Sequence, residues 1–68
     1  MMNRDQAVEV KERALAAVEA LASALDIVKG KVTDEEFEQV KKGIGLAIGS
    51  IEIQVNARLY RQFPDLEG

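Results

Sequence analysis

The sequence predicts an all-α fold, a two-helix antiparallel hairpin that dimerises into a four-helix bundle. Three observations predict it. Apolar residues recur at helical spacing along two long segments, the break between the segments is only a few residues, and the second segment is apolar on two opposite faces.

The first helix is expected from about residue 4 to 29. Ala7, Lys11, Ala14, Val18, Leu21, Leu25 and Val28 step by four and three, the period of one face of an amphipathic helix. Val8, Leu15 and Ala22 widen that face. The segment is rich in alanine, a strong helix former whose small side chain lets a neighbouring helix approach closely. Asn3 suits the N-cap, with Gln6 in the reciprocal position of a capping box. Gly30 suits a left-handed residue just past the helix end, and Lys29 and Lys31 complement the negative end of the helix dipole.

The turn, residues 30–33, runs into Thr33-Asp34-Glu35-Glu36-Phe37. Thr33 and Glu36 have the spacing of a second capping box, and Val32 and Phe37 that of a hydrophobic staple. Three acids in the first turn favour the positive end of the dipole. So short a connection folds the second helix back beside the first. That helix is expected from about 34 to 62, ended by Phe63-Pro64 because a residue before proline is disfavoured in helical geometry. Residues 63–68 form a short tail, and the whole chain is one domain.

Ile51-Glu52-Ile53-Gln54-Val55 alternates as a strand would, and Gly43, Gly45 and Gly49 each weaken a helix. A lone strand has no partner in this chain, however, and the helical stripe continues through the segment. Helix is therefore the reading.

The second helix carries two stripes. Phe37, Val40, Ile44, Ile48, Ile51, Val55 and Leu59 form a nearly straight line suited to meet the first helix. Leu46, Gly49, Ile53, Ala57 and Tyr60 lie about 180° away and are expected to form a homodimer interface. A hairpin covers only one of these faces. Gly45 and Gly49, with Ser50, either admit a close helix crossing between copies or relieve crowding inside one hairpin. Glu52 falls between the stripes, where it turns outward or meets a base from a neighbouring chain.

Composition narrows function further. The 68 residues include neither Cys nor His, so disulfides, Cys/His metal sites and the commonest general base are absent. A chain this small is close to break-even when folded alone, and association is the remaining common remedy. An apolar share of 47% with net charge −3 argues against disorder. Among the hydroxyls, Thr33 is explained by capping, Ser23 is expected on the exposed side of the first helix, and Ser50 in a packed region without a base. No catalytic residue, metal ligand or cofactor site is expected. Glu9/Glu12 and Glu35/Glu38 read as solvated helix charges, with Glu9–Arg13 and Glu38–Lys42 at favourable spacing for ion pairs.

Arg58-Leu59-Tyr60-Arg61-Gln62-Phe63 interleaves bases with aromatic groups, and Lys41, Lys42, Arg58 and Arg61 are the candidate nucleic-acid contacts. No helix-turn-helix spacing, phosphate loop or basic run accompanies them, so core packing for Leu59 and Phe63 and rim pairing for the arginines is favoured. Phe63, Pro64 and Leu66 either seal the bundle end or present a short motif. No secretory signal and no span of about 20 apolar residues is visible, which points to a cytoplasmic protein without membrane association. The expected function is a small, non-enzymatic homodimeric module that binds another protein or regulates one. The alternatives are a nucleic-acid-binding dimer and a small-ligand-binding bundle whose cavity the glycines open.

Overall fold

Two helical rods run antiparallel, joined by a tight turn, in a computed structural model that describes residues 1–67. Helix α1 spans Arg4–Val28 and α2 spans Asp34–Ile51. A π-helical turn at Glu52–Asn56 links α2 to α3, Ala57–Gln62, and a 3₁₀ turn at Pro64–Leu66 follows. No strand occurs among the described residues.

Both capping boxes close. Asn3 Oδ1 accepts from the Gln6 amide and Gln6 Oε1 from the Asn3 amide, each at 2.9 Å. Thr33 Oγ1 accepts from the Glu36 amide at 3.1 Å, and Glu36 Oε1 accepts from the Thr33 amide at 3.1 Å and its hydroxyl at 2.9 Å. Gly30 has φ 74°, the left-handed conformation that lets the chain reverse just past Lys29. These caps satisfy orphan amides at both helix starts and locate the turn.

The inward face of α1 follows the expected stripe. Ala7 and Ala14 are buried, and Lys11, Val18, Leu21, Leu25 and Val28 are half-buried. On the second rod Phe37, Ile44, Ile48, Ile51 and Val55 are half-buried and Leu59 is buried, while Val40 lies at the exposed edge.

One expectation needs correction: the second rod is not a continuous α-helix to residue 62. The Ala57 amide donates to the Glu52 carbonyl, five residues back instead of four. Such a turn holds one extra residue, so everything after it is rotated by about 100°, one α-helical step. The inward line therefore passes to Asn56, Leu59 and Phe63. Asn56 is wholly buried although it is polar, and Tyr60 is drawn toward the core.

The core sits at the open end of the hairpin. Ala7, Leu59 and Leu66 are its buried members, with Met2, Val8, Val55, Tyr60 and Phe63 packed around them. The tail belongs to this core, which decides between the two readings of Leu66 in favour of sealing. Lys11 Nζ donates to the Leu66 carbonyl and lies 5.5 Å from the centre of the Tyr60 ring. Arg4 pairs with Asp65, its Nε donating to Oδ2 at 3.0 Å.

The molecule is a rod of 46 × 20 × 16 Å with a radius of gyration of 14.8 Å. A compact chain of this length has a radius near 11 Å.

Candidate interaction surface

The surface that one chain leaves open is the outer face of the second rod. Leu46 and Ile53, seven residues apart, are 67% and 63% exposed. Gly49 lies between them, half-buried, and Ser50 is exposed rather than packed, contrary to expectation. A Cβ added at Gly43, Gly45 or Gly49 would meet no other atom within 4 Å. The glycines thus relieve no crowding inside the hairpin. Each still costs a helix about 1 kcal/mol relative to alanine.

The π turn changes what flanks this apolar centre. A regular helix places Ala57 and Tyr60 in line with Ile53. In the structure both are half-buried, and Tyr60 packs against the hairpin's own core. Arg58 and Arg61 take their place outside. Together with Ile53, Gln54 and Gln62 they line an open groove of about 540 Å³. Arg58 donates to Gln54 Oε1 at 3.0 Å and Arg61 is exposed. None of the glycines lines this groove.

At the other end of the same rod Asp34, Glu35, Glu36 and Glu38 are all exposed. On that face Glu35 and Glu38 come first, Lys42 follows one turn before Leu46, the apolar centre comes next and the arginines last. Lys41 and Lys42 are exposed on α2, roughly 25 Å along the rod from Arg58, so the four candidate nucleic-acid contacts do not converge on one patch.

Other polar groups serve the hairpin. The Arg4 guanidinium holds the Asp65 carboxyl below its ordinary range, chiefly through the hydrogen bond, and Asp65 in turn raises Arg4. The Thr33 amide, then its hydroxyl, lowers Glu36. Ser23 is exposed and donates to the Ala20 carbonyl at 2.8 Å. Among the described residues Arg4–Asp65 is the one ion pair within 4 Å; Glu9–Arg13 and Glu38–Lys42 do not close. Their side chains stay hydrated, as exposed pairs gain little by closing. Among the described residues no three Asp or Glu gather as a metal-ion set, and no helix is long and apolar enough to cross a membrane.

Asn56 is the residue whose position sequence spacing did not reveal. Its Nδ2 donates to Glu52 Oε1 at 3.3 Å, while its buried Oδ1 has no partner. Glu52 itself turns outward, exposed. No local signal marked it, because the stripe Ile48, Ile51, Val55 and Leu59 keeps helical phase straight through the turn. No protein-family model, curated protein or solved structure matches the chain.

Proposed function

We propose that the chain is a non-enzymatic module that works as a homodimer, two hairpins docked through the outer faces of their second rods into a four-helix bundle, leaving α1 toward a protein partner. The observation that carries this reading is the exposed Leu46–Gly49–Ile53 face. Area supports it. The chain has an accessible surface of 5162 Å², whereas a compact monomer of 7.5 kDa has about 4,200 Å². The excess, about 900 Å², is close to the roughly 800 Å² each partner buries in a standard interface. Leu15 and Ile27 on α1, exposed at 45% and 68%, supply the apolar contacts of the partner-facing side.

Sedimentation equilibrium at micromolar concentration tests the association. A species of twice the 7.5 kDa chain mass is expected, and a monomer would defeat the reading. Ile53→Asp is expected to abolish the dimer while far-ultraviolet dichroism stays helical, because Ile53 makes little contact within its own hairpin. The change places an unpaired charge in a buried interface, which no polar partner offsets.

A further inference from the structure

We infer that the two copies dock antiparallel, with the two-fold axis over Gly49 and Ser50, so that the arginine end of each second rod lies on the acidic start of the other. This inference rests on the proposed homodimer and adds its direction.

Two directions bury the same apolar centre. In parallel docking Leu46 meets Leu46 and Ile53 meets Ile53. In antiparallel docking each Leu46 meets the other copy's Ile53, because the two are equidistant from residues 49 and 50. Both bring backbone to backbone at Gly49, where the missing Cβ leaves open space. Apolar burial does not choose between them.

Charge does. Glu35 and Glu38 stand on or beside the Leu46–Ile53 face in the first turns of α2, ahead of Lys42, while Asp34 and Glu36 lie to its sides and Glu36 closes the cap with Thr33. Arg58 and Arg61 bring two guanidiniums to the other end of the rod, on the face rotated outward by the π turn. Parallel docking sets Glu35, Glu38 and Lys42 against their own copies at one end of the interface, and Arg58 and Arg61 against theirs at the other. Antiparallel docking brings Arg61 level with Glu38, one turn from Glu35, at both ends. Lys41 and Lys42 come level with Arg58 and Ala57, a stretch of like charge nearer the axis, so the preference comes from the outer ends. Like charges set against one another suppress the wrong arrangement, and complementary ends fix the register. Neither arginine is claimed by a carboxylate of its own chain among the described residues.

The absence of cysteine makes the test simple. Gln62→Cys, spin-labelled, is measured by pulsed electron double resonance alongside sedimentation. Antiparallel docking sets the two labelled positions roughly 35 Å apart along the axis, whereas parallel docking sets their backbones about 10 Å apart. A dimer with the long distance supports the inference. A dimer with the short distance overturns the direction but keeps the homodimer, and a monomer overturns both. As a second arm, R61E and E38K are each expected to weaken the dimer severalfold at low salt, and the two combined in one chain to restore it. Because E38K alone brings the net charge nearer zero, its loss and the recovery in the double variant arise only if Arg61 meets Glu38; no loss with E38K, or continued weakness of the double variant, would overturn the docking direction.

Discussion

The two ends of the hairpin are held together differently. At the open end, Ala7, Leu59 and Leu66 are buried and the tail is tied to α1 through Arg4–Asp65 and Lys11. At the turn end α2 has no buried residue, and its inward side chains are only half covered. The turn end relies on local chemistry, a capping box and a left-handed glycine, where the open end relies on packing between residues far apart in sequence. In a chain with so little core, stability is concentrated where three segments meet rather than spread along two. The thinner half also carries the exposed Leu46, so the part that stabilises itself least is the part with most to gain from a neighbour.

The largest break in this contrast is expected from Leu59→Ala, which empties a site 3% exposed and costs about 3 kcal/mol. Ile44→Ala, half-buried in α2, is expected to cost about half as much. Urea denaturation at one fixed chain concentration measures both, since association adds to apparent stability. Asn56→Ala is the sharper probe, for Asn56 is at least as buried as Leu59. Removing its unpartnered Oδ1 relieves a desolvation cost of about 1–3 kcal/mol, which offsets the lost contacts. A loss under about 1 kcal/mol is expected, and a loss matching Leu59→Ala would show that the Glu52 hydrogen bond or the π turn depends on the amide.

Thr33→Ala removes the cap of α2 and is expected to cost about 1 kcal/mol. Hydrogen exchange should quicken near the turn and leave the open end protected. The smallest effect is that of acid. Asp65 and Glu36 are both held below their ordinary values, 3.8 and 4.5. Each therefore contributes stability that is present above its ordinary value and lost as pH falls through its lowered one. Titration downward from pH 5, followed by Tyr60 fluorescence for the tail and dichroism for the helices, is expected to show a shallow loss. Asp65→Asn should remove the tail's share.

Much of the hairpin could be read from residue spacing because its causes are local. The two capping boxes, Gly30 and the four-three stripe of α1 act over a few residues, and all take the geometry their spacing implies. Phe63-Pro64 likewise ends the rod at Gln62. The π turn was hidden because its cause is tertiary. One extra residue there lets Leu59, Phe63 and Leu66 face Ala7 together, a gain that no window of neighbouring residues registers. The apolar centre, Leu46, Gly49 and Ile53, precedes most of that slip and keeps its expected place. Ala57 and Tyr60 come after it and turn inward, and Arg58 and Arg61 turn outward for the same reason.

The slip at Glu52–Asn56 works as a gear between two lengths of one rod. Deleting a single residue within it would return the last two turns to step with α2, exchanging a guanidinium-bearing exterior for one bearing a phenol ring. The identity of what the far end offers to the outside is thus stored in backbone count, and one codon gained or lost rewrites it without substituting any residue of the last two turns.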